Sequence, residues 1–264
     1  MSETFLDGFS VEKKDTRVRE WFLMSSIYPM LIICTIYVTI ALFVGPMFMK
    51  TRRPYEIKKL VMGYNIFQVI ASFWIFQGLL RSGWTTSYSL ICQPVDKNPN
   101  MDSEGYQMAV WVWRASLFRI VDFTDTFFFI ARKKFEHVSL LQVIHHFLTP
   151  LYGFMLTTYA PGGNDSFGGV VNYFIHIVMY SYYFLSSLGP KYRKYLWWKQ
   201  YLTQFQIIQF VISLFKTAIN AFQITDCGFP WQVSLVSMFM YILMLLLFLE
   251  FYIKTYNQKK KKST

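Results

Sequence analysis

The 264-residue chain is 54% hydrophobic and only 16% charged, whereas an ordinary globular domain has about 25% charged residues. This composition excludes a disordered chain, and a count of 3 cysteines excludes a small disulfide-framed protein. A net charge of +11 on so apolar a chain indicates a polytopic membrane protein with its basic residues outside the bilayer, rather than a soluble protein that binds nucleic acid.

Seven segments are long and apolar enough to cross a bilayer as helices of about 20 residues. We therefore predict an all-α, polytopic membrane fold with seven transmembrane helices. Residues 1–26 form an N-terminal segment, 27–253 the transmembrane domain, and 254–264 a basic tail. The predicted spans are Ile27–Phe48, Leu60–Leu80, Met108–Ile130, Val138–Tyr159, Gly168–Leu188, Tyr201–Phe222 and Val233–Ile253.

The distribution of basic residues predicts the orientation of these spans. Of the 26 Lys and Arg, 17 fall in the loops after the first, third and fifth spans and in the tail. The positive-inside rule places these segments in the cytosol and the N-terminal segment in the lumen. Lys261 and Lys262 stand fourth and third from the C-terminus, which resembles the di-lysine retrieval signal of endoplasmic-reticulum membrane proteins. The alternative is a solvated basic tail near anionic lipid.

The remaining loops are predicted to be lumenal, where disulfides form. Cys92 and Cys227 fall in two of these loops, and we expect them to be bridged, whereas Cys34 lies within the first span. Asn164 begins a glycosylation sequon in a short loop close to the membrane, and we expect that this sequon is not used.

Polar side chains recur at helical spacing in four spans, although ionisable groups are costly in a membrane. Counted from the cytosolic ends, the four stripes overlap in one layer, which predicts a polar pocket open to the cytosol. Taken singly, each residue has a structural explanation: Asp122 can pair with Arg119 or Arg114, and Lys216 can extend its ammonium group to the interface. Taken together, three imidazoles and two carboxylates favour a reactive site. The stripes are Arg119, Asp122, Asp125 and Thr126; Gln142, His145 and His146; Asn172, His176, Met179, Tyr180, Tyr182 and Tyr183; and Thr203, Gln206 and Gln209.

The imidazoles favour nucleophilic catalysis over metal binding. The chain has only 4 histidines, too few for the His-rich boxes of a membrane di-iron enzyme. His145 and His146 are adjacent and point about 100° apart on a helix, which is poor geometry for one zinc ion. We therefore expect no metal and no cofactor. A buried neutral imidazole can attack a thioester and form an acyl-imidazole, and Asn, Gln and Tyr donors can stabilise the oxyanion.

The four stripes resemble the signature boxes of the ELO family of very-long-chain fatty acid elongases. The HxxHH box appears as residues 142–146, the NxxxHxxMYxYY box as 172–183, the TxxQxxQ box as 203–209 and the KxxExxDT box as 119–126. Gln142 replaces the first histidine of its box, and Arg119 and Asp122 replace Lys and Glu. The resemblance covers nearly the whole chain.

The resemblance implies a 3-ketoacyl-CoA synthase that condenses a long-chain acyl-CoA with malonyl-CoA, while the seven helices enclose a tunnel for the acyl tail. His145 would carry the acyl group, and His176 and Asn172 would position the acyl carbonyl or stabilise the enolate. His146 would be a further catalytic residue, and Asp122 and Asp125 would fix imidazole tautomers or structure the pocket. The expected substrate-binding residues are Gln142, Thr126, Met179, Tyr180, Tyr183, Gln206 and Gln209 in the pocket, and Lys133, Lys134, Lys191, Arg193 and Lys194 at the CoA phosphates.

Three alternatives stay open at this point. One is a seven-helix lipid transporter or receptor, and another is a membrane acyltransferase that acts on an alcohol or amine. A third is a catalytically impaired relative, because Gln142 cannot act as a base. The expected partners are the two CoA substrates, membrane lipid and the reductases and dehydratase that complete an elongation cycle, with no nucleic acid. A homodimer is left open.

Overall fold

The computed structural model describes residues 4–257, except the side chain of Arg193, and all regular secondary structure in this range is helical. Each of the seven predicted spans coincides with helix, which confirms the all-α prediction. The third span differs from the prediction because it is divided at Asp122 into two helices. The helices are α1 (Ile27–Met49, with a π-helical turn at Ile40–Val44), α2 (Lys58–Leu79), α3 (Glu104–Val121), α4 (Phe123–Ala131), α5 (Leu140–Tyr159), α6 (Ser166–Leu188), α7 (Lys199–Ala221) and α8 (Trp231–Tyr252).

Four of these helices, α1, α2, α7 and α8, are long and apolar enough to cross a membrane, so the chain is a polytopic membrane protein. Within residues 4–257, the helices of the third, fourth and fifth predicted spans do not meet that criterion. The physical reason is their content of charged and hydrogen-bonding side chains, which includes most of the predicted site. That these three segments also cross the membrane stays a prediction.

Serine side chains set the starts of three helices. The hydroxyls of Ser26, Ser103 and Ser139 accept hydrogen bonds from the first-turn N–H groups of α1, α3 and α5. Such caps satisfy N–H groups that have no partner within the helix. The cap at Ser103 explains why the third span begins at Glu104, four residues before its predicted start.

The chain forms two compact units, and the first comprises the described part of residues 1–58 together with 95–162. It contains α1, α3, α4 and α5. Met30, Cys34 and Tyr37 lie along one buried face of α1, and this face packs in a common core with Val143 and Phe154 of α5. The burial of Cys34 confirms its predicted position inside the first span.

Close contact between α3 and α5 is permitted by a glycine. A Cβ atom added to Gly153 would lie only 2.7 Å from Oγ of Ser116. One turn further on, the hydroxyls of Ser116 and Thr157 are hydrogen-bonded at 3.0 Å. The N-terminal segment also belongs to this unit, because the backbone N–H of Asp15 donates to the carbonyl of Thr158 at 2.8 Å.

The second unit comprises residues 59–94 and the described part of 163–264, and it contains α2, α6, α7 and α8. Asn220, near the end of α7, donates to Ser234 near the start of α8 at 2.7 Å. Gln204, near the start of α7, donates to Tyr252 at the end of α8 at 2.9 Å. These two contacts show that α7 and α8 are antiparallel.

In the second unit, Cys92 and Cys227 are joined by a disulfide, with their Cα atoms 5.3 Å apart. Asn164 of the sequon is buried, with only 2% of its surface exposed. An asparagine in this position is not accessible for glycosylation in the folded chain.

Lys216 is buried within the second unit, and its extension to the membrane interface stays a prediction. The side chain is 9% exposed, and its ammonium group donates to the carbonyl of Leu90 at 2.6 Å. The same group lies 5.2 Å from the ring centroid of Trp84 and 5.5 Å from that of Phe167. The carbonyl acceptor and the two aromatic faces stabilise the cation in this buried position.

Candidate functional site

The α5 residues Gln142, His145 and His146 lie within the first two turns of their helix. The two imidazole rings are 5.5 Å apart between centroids, and they differ in exposure. His146 is buried, whereas His145 is only partly buried. Of the two histidines, His145 is therefore the more accessible to a substrate.

Gln142 connects His146 to α4. Its Nε2 atom lies 3.0 Å from Nε2 of His146 and donates to the hydroxyl of Thr126 at 3.4 Å. Thr126 is fully buried and lies 3.0 Å from the hydroxyl of Tyr37 on α1. Gln142 thus keeps a hydrogen-bonding role at the position where the family box has histidine. Tyr37 belongs to no predicted stripe, and the sequence carries no signal for it beyond a polar group in an apolar helix.

The acidic residues of the third span surround the break between α3 and α4. Arg119 donates from Nη1 to Oδ2 of Asp122 at 3.0 Å, and both side chains are buried. Of the two partners considered for Asp122, Arg119 is therefore the observed one. Arg114 instead lies over the ring of Trp111, 4.6 Å from its centroid. Asp125 is partly buried in the first turn of α4.

In the second unit, α6 carries the other predicted catalytic residues. His176 is buried, and its ring lies 5.9 Å from that of Tyr173 and 5.7 Å from that of Tyr180. Asn172 is partly buried one turn earlier on the same helix. Tyr183 differs from these residues because 38% of its surface is exposed.

The box on α7 contacts the box on α6. Nε2 of Gln206 lies 3.7 Å from Sδ of Met179, so the structure brings these two predicted substrate-binding residues together. Gln209 is buried one turn further along α7. Thr203 is also buried, and its hydroxyl lies 3.4 Å from that of Tyr256, which follows α8.

A polar stripe on α2 escaped the sequence analysis. Asn65, Gln68 and Ser72 are all buried, with at most 3% of their surfaces exposed. Gln68 donates to the hydroxyl of Tyr64 at 2.6 Å, and the Tyr64 ring lies 6.1 Å from that of Tyr180. Their spacing of three and four residues is the signal that identified the other stripes, and it could have identified this one.

The predicted CoA-binding lysines fall in loops of both units. Lys133 donates to the backbone carbonyl of Lys50 at 3.3 Å, and Lys134 is partly buried. Lys191 and Lys194 are exposed. The side chain of Arg193 and both predicted retrieval residues, Lys261 and Lys262, lie outside the described part of the structure.

Between residues 4 and 257, no group of three or more His, Cys, Asp or Glu side chains is placed to hold a metal ion.

Comparison with known proteins identifies the family. Residues 22–264 match the model of the ELO (GNS1/SUR4) family. The chain belongs to the ELO family. The ELO boxes therefore lie on α3 and α4 (residues 119–126), α5 (142–146), α6 (172–183) and α7 (203–209).

Individual relatives cover most of the chain. It is 39% identical over 255 residues to a very long chain fatty acid elongase of Aedes aegypti, covering 94% of this chain and 68% of the relative. It is 38% identical over 264 residues to very long chain fatty acid elongase 7 of Drosophila melanogaster, and this match covers 98% of this chain and 78% of the relative. It is also 39% identical over 247 residues to very long chain fatty acid elongase 4 of Homo sapiens, and this match covers 94% of this chain and 77% of the relative.

Proposed function

We propose that this ELO protein is a very-long-chain fatty acid elongase, the 3-ketoacyl-CoA synthase that condenses acyl-CoA with malonyl-CoA. The observation that carries the proposal is the family match over residues 22–264, within which His145 and His176 both stand in their boxes. Each turn of the reaction lengthens the acyl chain by two carbons and releases carbon dioxide and CoA.

In the first half-reaction, His145 attacks the thioester carbonyl of acyl-CoA. A carbon–nitrogen bond forms, the carbon–sulfur bond breaks, and the imidazole proton passes to the departing CoA thiolate. The product is an acyl-imidazole and free CoA. The greater exposure of His145 than of His146 supports its choice as the nucleophile.

In the second half-reaction, malonyl-CoA occupies the site after CoA has left. Its carboxylate departs as carbon dioxide, and the electron pair of the broken carbon–carbon bond forms an enolate. The enolate carbon attacks the acyl-imidazole, the carbon–nitrogen bond breaks, and the imidazole takes a proton from solvent. The product is 3-ketoacyl-CoA.

The other predicted site residues assist these steps. In the second unit, Asn172 and His176 are the hydrogen-bond donors that can stabilise an oxygen on which negative charge develops. Gln206, Gln209 and the tyrosines of the α6 box are substrate-binding residues of the same unit. The basic loop residues of each unit can bind CoA phosphates, for which charged hydrogen bonds are strong; they are Lys133 and Lys134 in the first unit and Lys191, Arg193 and Lys194 in the second. The apolar faces of the helices hold the acyl tail.

The proposed location rests on the distribution of positive charge among the loops. We place the protein in the endoplasmic-reticulum membrane with the N-terminus in the lumen and the C-terminus in the cytosol, where CoA esters are found and the basic loops lie. The Cys92–Cys227 disulfide supports a lumenal position for its two loops, since disulfides persist in oxidising compartments.

The transporter, receptor and acyltransferase alternatives lack the support that elongation has. The three relatives compared above are all elongases, and this chain retains a complete Asn172–Tyr183 box. The impaired-relative alternative rests on Gln142 alone, and Gln142 forms hydrogen bonds with two box residues.

The test uses the purified full-length protein in detergent. Acyl-CoA with isotope-labelled malonyl-CoA should give labelled 3-ketoacyl-CoA, and acyl-CoA alone should give a protein heavier by one acyl group. His145→Ala should remove both signals, whereas His137→Ala, a loop histidine whose side chain is 50% exposed, should keep both. A wild type without condensation product contradicts the function, and an adduct that survives in His145→Ala contradicts the role of His145.

A further inference from the structure

Gln142 takes part in a series of three hydrogen bonds that joins α1, α4 and α5 of the first unit. The hydroxyl of Tyr37 lies 3.0 Å from that of Thr126, Nε2 of Gln142 lies 3.4 Å from the Thr126 hydroxyl, and the same nitrogen lies 3.0 Å from Nε2 of His146. Tyr37, Thr126 and His146 are 1%, 0% and 7% exposed. Water has little access to these groups, so each needs a partner from the protein or from a ligand.

Aromatic rings also restrain His146. Tyr37 and Phe123 stack with centroids 4.2 Å apart. The imidazole lies 5.9 Å from the ring of Tyr37 and 6.2 Å from that of Phe123, and it is inclined to them by only 24° and 28°. The stacked rings limit tilting of the imidazole, and the hydrogen bond to Gln142 fixes its rotation in the plane.

The contact with Gln142 sets the tautomer of His146. The amide nitrogen of Gln142 faces Nε2, so an amide N–H donates and Nε2 must supply a lone pair. The imidazole proton then resides on Nδ1. Among residues 4–257, Nδ1 of His146 is buried and has no hydrogen-bond partner. A buried N–H without a partner is costly, so its presence beside a reactive histidine calls for an acceptor that arrives with the substrate.

We infer that Gln142 is a positioning residue that holds His146 in the Nδ1–H tautomer, and that this N–H donates to the carbonyl oxygen of the thioester attacked by His145. The inference rests on the proposed elongase function and assigns its oxyanion donor in the first unit. The two imidazole centroids are 5.5 Å apart, within reach of a single acyl group. As His145 attacks, the carbonyl oxygen gains negative charge, and the hydrogen bond from Nδ1 strengthens.

This arrangement gives Gln142 a function that does not require a base. A glutamine amide has two N–H groups, and here they serve Thr126 and His146 together. The hydroxyl of Tyr37 anchors Thr126 from the opposite side. The departure from the HxxHH box is therefore compatible with a fully active enzyme.

The tautomer can be measured directly in the full-length protein. The chain has only 4 histidines, so two-bond ¹H–¹⁵N correlation spectra of protein labelled with [¹⁵N]histidine are simple to assign, with a His146→Gln variant identifying the His146 signals. In the wild type, His146 should be protonated on Nδ1. In Gln142→Leu, the two tautomers of His146 should interconvert.

The kinetic effect is measured on the acylation half-reaction. Gln142→Leu should lower kcat for acylation roughly 10–100-fold. KM for acyl-CoA should change much less than kcat, because the hydrogen bond is strongest in the transition state. Tyr37→Phe removes only the distant hydroxyl and should lower kcat in the same direction by a smaller factor. Thr157→Val is the matched control, since it removes a buried 3.0 Å hydrogen bond of the same unit and should leave tautomer and kcat as in the wild type.

Two results would overturn the inference while leaving elongation intact. One is an active wild type in which His146 is protonated on Nε2, and the other is a Gln142→Leu variant with unchanged tautomer and kcat. A folded wild type that makes no 3-ketoacyl product would overturn the elongase function, and the substrate role of His146 would go with it.

Discussion

Arg119 and Asp122 form an ion pair inside the first unit, with Nη1 of the arginine 3.0 Å from Oδ2 of the aspartate and side-chain exposures of 8% and 5%. The pair lies where α3 ends, and Asp122 is the residue that separates α3 from α4. Both charged groups have lost most of their hydration, which is unfavourable for each of them. Their mutual attraction largely offsets this desolvation free energy.

This relationship predicts unequal effects of single and double substitutions. Asp122→Leu leaves a buried guanidinium without its carboxylate and should lower the free energy of unfolding by about 3–5 kcal/mol. Arg119→Met combined with Asp122→Leu removes both charges and should recover most of that loss. Thermal unfolding in detergent measures both variants, and equal destabilisation of the single and double variants would contradict the prediction.

The same pair of variants separates a structural role from a catalytic one. If Asp122 also orders an imidazole, the double variant regains stability without regaining elongase activity. Recovery of both properties would assign the pair to folding alone.

The helices of this protein were predictable because apolar length is a local property. A run of about 20 apolar residues forms a helix in a bilayer whatever its neighbours are, since backbone groups must be hydrogen-bonded within the segment. The predicted start of the fourth span, Val138, lies two residues from the observed start of α5 at Leu140. The residues of the candidate site were predictable for a related reason: polar groups at helical spacing stand out against an apolar background.

The features that were missed depend on distant partners. Lys216 stays buried because the carbonyl of Leu90, 126 residues away in sequence, accepts its hydrogen bond. Tyr37 joins the site because Thr126 lies opposite it, and nothing near Tyr37 in the sequence indicates this contact. The stripe that includes Gln68 differs from these cases, because its spacing was visible and its residues carry no charge.

Gly153 gives a second prediction, on the packing of α3 against α5. A Cβ atom there would lie 2.7 Å from Oγ and 2.8 Å from Cβ of Ser116, and 3.1 Å from its Cα. Because backbone is involved, the neighbour cannot simply rotate away. Gly153→Ala should therefore lower the free energy of unfolding by about 1–3 kcal/mol, the usual cost of overpacking.

Gly63 on α2 is the matched control for this substitution. A Cβ atom added there meets no atom within 4 Å. Gly63→Ala should leave stability unchanged or raise it by up to about 1 kcal/mol, because alanine is the better helix former. Thermal midpoints of the two variants should thus move apart, and a Gly153→Ala variant as stable as Gly63→Ala would show that α3 and α5 are not in close contact there.

Asp165 precedes α6 and is the acidic group of a buried polar cluster in the second unit. Its carboxylate accepts hydrogen bonds from Thr217 at 3.3 Å and from Ser237, and only 3% of the residue is exposed. Burial raises the pKa of Asp165 from 3.8 to about 6, against the opposing effects of the two hydroxyls and of the positive charge of Lys216. The folded chain therefore holds this proton more tightly than the unfolded chain does.

The raised pKa of Asp165 fixes the sign of a pH effect on stability. Between pH 3.8 and about 6 the folded state binds more protons at Asp165 than the unfolded state, so this group makes stability fall as pH rises through that window. The total change in the free energy of unfolding is at most about 3 kcal/mol.

The Asp165→Asn variant tests this effect, because asparagine keeps an acceptor for the two hydroxyls but cannot ionise. The thermal midpoint of the variant minus that of the wild type should increase with pH up to about pH 6 and stay constant above it. Asp226→Asn removes an exposed carboxylate from the same unit and controls for net charge. Parallel curves for wild type and Asp165→Asn throughout the window would show that the pKa of Asp165 is the same in the folded and unfolded chains.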